Sequence, residues 1–197
     1  MQRRVAVLLL LFASFSLVYS SIAYYSLSRP PTQEFMAWGV FSPSGTLSNY
    51  FSGAGANVTM GETLNWHFAV SNQMGSIQYA QVVYRLGNSA SANPNATVPG
   101  TVPQLGNSSI FIPNAQTAIV NFTWVITSRN TVGGMVFMTM TINGQQVSPS
   151  VGAFAGQRLR FFFELWTYDL ASNSFQYGYK GQNSRVGVPL QVWFNSL

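Results

Sequence analysis

The side chains that could carry out acid–base or metal chemistry are few and widely spaced. The 197-residue sequence contains one histidine, His67, and four acidic residues, Glu34, Glu62, Glu164 and Asp169. A Ser-His-acid triad or a metal centre needs several such groups to converge on one site. Glu164 and Asp169 are five residues apart, so they fall on opposite faces of an extended strand and do not form a pair of catalytic carboxylates. We therefore predict no catalytic residue, no metal site, no cofactor and no enzymatic activity.

The composition narrows the class of protein further. Cysteine is absent, which removes disulfides, thiolate nucleophiles and cysteine metal ligands together. Hydrophobic residues make up 47% of the chain and charged residues only 7%, which predicts a packed core under an uncharged polar surface. The net charge of +5 comes from arginines scattered along the sequence, without the basic cluster that phosphate binding requires. We predict no nucleic-acid partner.

Residues 1–27 are predicted to form a cytoplasmic stub and a transmembrane anchor helix. Val5 to Tyr25 is a run of 21 residues without a charge, and about 20 apolar residues cross a bilayer as a helix. Arg3 and Arg4 precede it and indicate a cytoplasmic N terminus. The alternative is a signal peptide that is cleaved after Ser21-Ile22-Ala23. We expect a single-pass protein of the cell membrane, in contact with the lipid bilayer through residues 5–25 and with an extracellular C-terminal domain.

A linker, residues 28–34, leads to a predicted all-β domain, residues 35–197. Bulky residues recur with period two, as at Leu64, Trp66 and Phe68. Eight strands are predicted, at residues 35–41, 63–70, 78–86, 117–127, 134–142, 158–168, 175–179 and 188–194. Their number and spacing favour an immunoglobulin-like β-sandwich of about eight strands, with an eight-stranded barrel as the alternative. Residues 87–106 are rich in Asn, Ser, Ala and Pro, which predicts a long exposed loop.

Four sequons for N-linked glycosylation agree with an exported domain. They begin at Asn57, Asn95, Asn107 and Asn121. Asn95 is in the predicted exposed loop and Asn107 directly follows it, so these two are the stronger candidates. Asn121 is inside a predicted strand, where the match is also explained by composition alone.

The strand at residues 158–168 is bulky and apolar on both faces. Phe162, Glu164, Trp166 and Tyr168 share one of these faces. A strand buried on both faces needs cover from its own chain or from another protein. We predict these four residues as interface candidates. The alternative for Glu164 is a partly buried carboxylate that pairs with an arginine.

Several motifs stand in the same order as in a known family. They are Val40-Phe-Ser-Pro-Ser-Gly45, Val58-Thr-Met-Gly61-Glu62, Val83-Tyr-Arg-Leu-Gly-Asn88, Phe163-Glu-Leu-Trp166 and Gln191-Val-Trp-Phe194. Over Phe35 to Leu197 the chain resembles an archaeal membrane-associated domain of unknown function, the family called sixteen-sixteen. The resemblance implies an archaeal surface location and a β fold. It implies no activity, because none is established for that family. Where that family has His-Glu-Gly, this chain has Gln73-Met74-Gly75, so a site that depends on this histidine or acid is lost.

The leading hypothesis is a non-catalytic accessory or structural subunit of a membrane protein complex, whose β-sandwich mediates protein–protein contacts. Small residues such as Ala13 and Ser20 permit close packing with other membrane helices. One alternative is a glycosylated cell-surface protein, either associated with a surface layer or adhesin-like. Another is an extracytoplasmic ligand-binding module that uses exposed tryptophans. The expected partners are other membrane-protein subunits or surface-layer proteins.

Overall fold

The computed structural model describes residues 14–24, 34–53, 55–181 and 184–197. The chain divides into two units, Met1–Gln33 and Glu34–Leu197. In the first unit, residues 14–24 form a helix, α1. Among the residues described, no helix combines the length and the apolar character needed to cross a membrane. The predicted anchor Val5 to Tyr25 lies partly outside this set, because residues 5–13 and residue 25 are not described, and the same holds for residues 28–33 of the predicted linker.

The second unit is a β-sandwich, as the sequence predicts. Its described residues form two six-stranded sheets and one two-stranded ribbon. The strands are β1 Phe35–Phe41, β2 Asn57–Val58, β3 Thr63–Gln73, β4 Gln78–Asn88, β5 Gln104–Ile112, β6 Gln116–Val132, β7 Met135–Ile142, β8 Gln145–Val147, β9 Ala153–Phe154, β10 Leu159–Asp169, β11 Ser174–Tyr177, β12 Tyr179–Lys180, β13 Arg185–Val186 and β14 Leu190–Ser196.

The two sheets have different strand orders. The first sheet runs β1-β3-β6-β7-β8 with β9 beside β7, and the second runs β2-β14-β10-β4-β5 with β11 beside β10. The order β14-β10-β4-β5 corresponds to strands G, F, C and C′ of an immunoglobulin variable domain. In the other immunoglobulin sheet the spatial order is A-B-E-D, so strand E, which lies beside B, comes after strand D in the chain. Here β6 lies beside β3, and its outer neighbour β7 comes after it in the chain. The first sheet therefore departs from the immunoglobulin order.

Aromatic rings fill the space between the sheets. Alternate residues of β3 are buried, as the period-two pattern predicts, and Trp66 is 2% exposed. Its ring packs edge-on against Trp124 from β6 at 5.3 Å and against Phe161 from β10 at 6.1 Å. Phe122 packs against Phe163 at 5.2 Å in the same manner. Edge-to-face pairs of this kind add to the stabilisation that burial of the rings provides.

The structure contains more strands than the eight predicted. The largest addition is β5, Gln104–Ile112, which overlaps the end of the predicted loop at residues 87–106. Its residues Asn107, Ser108 and Ser109 are polar, so the local sequence lacks a clear strand signal. The two-residue strands β2, β9, β12 and β13 are too short to leave a periodic pattern, because only their pairing partners define them.

Candidate functional site

The outer face of β10 is covered by the chain itself. β10 is central in the second sheet, between β14 and β4, and Phe162 and Glu164 on its outer face are both 0% exposed. The cover is the connection between β4 and β5, residues 89–103, here called the 89–103 segment. Gly100 and Pro94 within this segment are buried, so the segment that the sequence predicts to be exposed packs on the sheet.

Glu164 is the main anchor of this segment. Its carboxylate accepts hydrogen bonds from Arg85 Nε at 3.2 Å, from Trp166 Nε1 at 3.0 Å and from the backbone N–H of Gly100. Arg85 also donates to the carbonyl oxygen of Val102 at 2.7 Å. The buried ion pair thus joins β10 and β4 to the 89–103 segment, and the carboxylate oxygens are already occupied by donors. This agrees with the prediction that Glu164 pairs with an arginine.

Arg160 holds the other half of the segment. Its guanidinium lies between the rings of Phe162 and Trp193, at 4.3 and 4.5 Å from their centroids. It donates to Gln191 Oε1 at 2.9 Å, to Asn93 Oδ1 and to the carbonyl oxygen of Ser91. Burial lowers the pKa of Arg160. Cation–π contacts and hydrogen bonds stabilise this cation, which has no carboxylate partner among the residues described.

Tyr177 and Arg185 fix the neighbouring strands β11 to β13. The Tyr177 hydroxyl donates to the carbonyl oxygen of Asn95 at 2.6 Å. Burial, together with the negative charge of Glu164, raises the pKa of Tyr177 to about 12. Arg185 donates to the carbonyl oxygens of Gly178 at 2.7 Å and Gln176 at 3.0 Å. Burial lowers the pKa of Arg185, and the nearby Asp169 partly offsets this effect.

The four predicted interface residues therefore divide into two groups. Phe162 and Glu164 are enclosed beneath the 89–103 segment, while Trp166 and Tyr168 are half-buried at its margin. The 89–103 segment of the same chain covers Phe162 and Glu164. Tyr168 lies in a larger aromatic surface that the segment leaves open.

This surface is a row of four aromatic side chains across four strands, here called the aromatic row. It consists of Phe111 on β5, Tyr79 on β4, Tyr168 on β10 and Phe175 on β11. Tyr79 is opposite Phe111 and Tyr168 is opposite Phe175 in the strand register. The ring centroids of Phe111 and Tyr79 are 4.1 Å apart, those of Tyr79 and Tyr168 6.0 Å, and those of Tyr168 and Phe175 5.3 Å. Phe111 is 63% exposed.

The rings of the row pack against one another. Tyr79 and Phe111 are stacked with an angle of only 9° between their planes, and Phe175 meets Tyr168 edge-on at 75°. Phe175 also lies 4.9 Å from Tyr79, so Tyr79, Tyr168 and Phe175 cover one another and are half-buried, while Phe111 is the exposed member of the row. Rings that cover one another in this way leave little open ring face on which a planar ligand could stack.

A groove of about 650 Å³ adjoins the row. Its apolar wall includes Ile77 and Leu170, and its charged side chains are Glu34, Asp169, Lys180 and Arg185. Two of these charges are positive and two are negative, so the groove is electrically balanced. Asp169 and Arg185 form an ion pair at 3.7 Å.

The residues predicted as candidates for chemistry do not converge. His67 is half-buried and stacks on Phe41, with ring centroids 5.5 Å apart. Glu62 accepts hydrogen bonds from Ser52 and Thr59, and these bonds lower its pKa. Within the described ranges, no group of three or more His, Cys, Asp or Glu side chains is placed to hold a metal ion.

The sequons differ in exposure. Asn95, Asn107 and Asn121 are exposed, whereas Asn57 is half-buried and accepts a hydrogen bond from Asn195 Nδ2 at 2.9 Å. The side-chain oxygen of Asn95 accepts hydrogen bonds from the backbone N–H groups of Thr97 and Val98. Glycosylation stays a prediction.

Sequence reasoning missed three members of the aromatic row, Tyr79, Phe111 and Phe175. Tyr79 and Phe175 lie in strands that were predicted, but the register that aligns them with Tyr168 depends on tertiary pairing. Phe111 lies in β5, which was not predicted. The run Ile110-Phe111-Ile112 is the local signal of this strand, and the polar residues Asn107, Ser108 and Ser109 before it weaken that signal.

Comparisons with known proteins give distant structural likenesses. No protein-family profile and no curated protein matches the sequence. The CARDB domain of a Pyrococcus furiosus protein, crystallised in complex with di-metal ions, has a TM-score of 0.40 and 9% identity over 86% of this chain and 99% of that chain. A β-glucosidase from Erythrobacter marinus has a TM-score of 0.36 and 9% identity over 83% of this chain and 16% of that chain. The neighbours thus include an archaeal β-sandwich domain, and the resemblance to the sixteen-sixteen family stays a prediction.

Proposed function

We propose that the protein is a non-catalytic accessory subunit of a membrane protein complex, and that its β-sandwich binds a protein partner through the aromatic row. The observation that carries this proposal is the row itself, with Phe111 63% exposed beside Tyr79, Tyr168 and Phe175. Contiguous exposed apolar surface marks interaction sites, and aromatic side chains are enriched in protein interfaces. The interface candidates Trp166 and Tyr168 belong to this margin of the sheet.

Anchoring in the cell membrane is the second part of the proposal. The N-terminal segment would cross the bilayer once, with its N terminus in the cytoplasm and the sandwich outside. Support comes from α1, in which Phe15 and Leu17 are each 70% exposed and Tyr24 is 75% exposed. Exposed apolar side chains such as these favour contact with lipid or with protein. An archaeal source is part of this proposal through the family resemblance.

The surroundings of Glu164 support a structural role rather than an enzymatic one. Its carboxylate is 0% exposed and is engaged by Arg85, Trp166 and Gly100. A general acid or base must reach the proton that it transfers, whereas the Glu164 carboxylate is enclosed and accepts hydrogen bonds from three donors within the chain.

A glycosylated cell-surface protein, in contact with a surface layer, is the second candidate function. It is favoured by the exposure of Asn95, Asn107 and Asn121. Asn107 lies two residues from Ser109 and four from Phe111 on the same face of β5. A glycan at Asn107 would therefore stand beside the aromatic row and restrict the partners that can reach it.

The proposal is tested by gentle detergent extraction from native membranes, followed by native gel separation and mass spectrometry of the co-migrating proteins. The chain should migrate in a discrete complex with other membrane proteins. Phe111→Ser should release it, whereas Ile119→Ser should not. Ile119 is the matched control, because it is 56% exposed and lies on the other sheet, in β6. A stable monomer in the wild type would contradict the proposal, and co-extraction with surface-layer proteins alone would select the second candidate.

A further inference from the structure

Several exposed apolar side chains lie at one end of the sandwich. This end, here called the Glu34 end, includes the start of β1, the end of β5, the β3–β4 turn at residues 74–77 and the β10–β11 turn at residues 170–173. The strand register places these parts together, because Phe35 is opposite Gln73, Gln78 is opposite Ile112 and Asp169 is opposite Ser174. Exposure at this end is 62% for Ile77, 88% for Leu170 and 40% for Phe35.

Ile77 and Leu170 are the most informative of these residues. Both lie in turns, where Gly, Pro, Asn, Asp and Ser normally dominate. Neither is needed for the core, since each exposes most of its side chain, and both line the same groove beside the aromatic row. Two aliphatic side chains on adjacent turns thus form an apolar tip at the Glu34 end.

The surroundings of this tip suit the interface between lipid and water. Tyr79 and Tyr168 line the groove behind it, and tyrosine favours the interfacial region because its ring is apolar and its hydroxyl is polar. The charged groups that face the groove are Glu34, Asp169, Lys180 and Arg185. Since these charges balance, lipid headgroups neither attract nor repel the groove strongly. The contact with lipid therefore depends on insertion of the apolar side chains.

The position of Glu34, the first residue of the sandwich unit, indicates what the tip contacts. Glu34 begins the unit Glu34–Leu197 and lines the same groove as Ile77 and Leu170. Because Glu34 is the first described residue after the proposed anchor, the chain enters the sandwich at this end. We propose that the Glu34 end rests on the membrane, with Ile77 and Leu170 inserted into the outer lipid interface. The inference rests on the proposed membrane anchor, and it adds a second lipid contact that lies in the sandwich.

This contact leaves the aromatic row available at the side of the molecule. The row runs across β5, β4, β10 and β11 on the outer face of the second sheet. With the tip in the lipid interface, the row lies just above the membrane surface, where it can meet another membrane-protein subunit. Fixing the tip restricts rotation of the sandwich and holds the row in one orientation.

Depth measurements on single-cysteine variants of the full chain test the inference. The chain has no cysteine of its own, so Ile77→Cys, Leu170→Cys and Met60→Cys each provide one site for an environment-sensitive fluorophore. Met60 is the matched control, because it is 59% exposed, close to Ile77, and precedes β3 at the opposite end of the sandwich. Val18→Cys in α1, also 59% exposed, reports on the anchor. Each labelled protein is reconstituted into phosphatidylcholine vesicles with and without nitroxide groups on the acyl chains.

We expect blue-shifted emission, and loss of fluorescence with the nitroxide lipids, for labels at positions 18, 77 and 170, but not for the label at position 60. If positions 77 and 170 behave like position 60 while position 18 is quenched, the inference is overturned and the anchor stands. If position 18 also escapes quenching, the anchor itself fails, and the inference fails with it.

Discussion

Among single residues, Glu164 best shows how burial decides between catalysis and structure. A lone acid among aromatic residues resembles a catalytic carboxylate in sequence, because an apolar site can shift the pKa of such a group. In the structure Glu164 is 0% exposed, and its oxygens accept hydrogen bonds from Arg85, Trp166 and Gly100. These three donors come from β4, β10 and the 89–103 segment, so the carboxylate holds separate parts of the chain together.

Removal of this charge should destabilise the protein strongly. Glu164→Gln leaves the Arg85 guanidinium, whose side chain is 12% exposed, without its partner, and we expect a loss of about 3 kcal/mol in the free energy of unfolding. Asp169→Asn is the matched control, because its ion pair with Arg185 is longer, at 3.7 Å, and more exposed. That variant should lose less than about 1 kcal/mol. Urea unfolding measures both values, and equal losses would show that burial does not set the strength of the Glu164 contact.

Tyr177 predicts a change in stability at alkaline pH. Its pKa is raised to about 12 by burial and by the charge of Glu164, against about 10 in an unfolded chain. Between these values the unfolded state loses the phenolic proton while the folded state retains it, so the free energy of unfolding falls as pH rises. The loss from this residue should reach about 2 to 3 kcal/mol near pH 12.

Tyr177→Phe is the variant that isolates this effect. It removes the hydrogen bond to Asn95 at a cost of about 1 kcal/mol near neutral pH. The variant should also show a smaller fall in the free energy of unfolding at alkaline pH. The fall that remains is expected from Tyr50, because burial raises the pKa of that residue as well. Unfolding free energies measured from pH 9 to pH 12 give the comparison. An unchanged alkaline slope in the variant would argue against Tyr177 as its source.

At the scale of elements, the 89–103 segment is the feature that most changes the interpretation of the sequence. Its polar composition is typical of an exposed loop, yet it covers Phe162 and Glu164 on the outer face of β10. The segment binds through its backbone, with carbonyl oxygens of Ser91 and Val102 accepting from Arg160 and Arg85. Side-chain hydrophobicity does not record backbone contacts of this kind, so the sequence pattern could not reveal them.

A substitution at Gly100 tests how closely the 89–103 segment packs on the sheet. An added Cβ would meet Glu164 Oε1 at 2.9 Å and Arg85 Cδ at 3.2 Å, so Gly100→Ala forces a shift within a buried contact. We expect a loss of about 1 to 3 kcal/mol, together with faster amide hydrogen exchange in residues 89–103. Gly53→Ala is the control, since a Cβ there meets no atom within 4 Å. Equal exchange rates in the two variants would contradict a tightly packed segment.

The strands show how far local sequence determines the fold. The alternation in β3 and the apolar run in β10 identified the two strands that contribute Trp66, Phe161 and Phe163 to the core. β5 escaped prediction because Asn107, Ser108 and Ser109 lack the β-branched and aromatic signal. Its place beside β4 is set by register, a tertiary property. The aromatic row follows from this register, which is why only Tyr168 of its members was proposed from sequence.

At the scale of the whole molecule, the sandwich combines a self-sufficient core with two surfaces that remain uncovered. The core residues Trp66, Phe122 and Phe161 come from both sheets, and the chain has no cysteine with which to form a disulfide. The uncovered surfaces are the aromatic row and the tip formed by Ile77 and Leu170. Composition predicts a folded chain with a packed core and an uncharged polar surface, but the places of the aromatic row and the tip depend on which turns and strands meet in three dimensions.

The most direct test of the central claim is site-specific photo-cross-linking in native membranes. A photoreactive amino acid replaces Phe111 in the aromatic row or, as the matched control, Ile119 on the opposite sheet, which has a similar exposure of 56% against 63%. We predict that position 111 cross-links to one discrete membrane-protein partner and that position 119 gives no such product. Cross-links from position 119 to the same partner, or no product from position 111 in intact membranes, would contradict the role of the aromatic row as the docking surface.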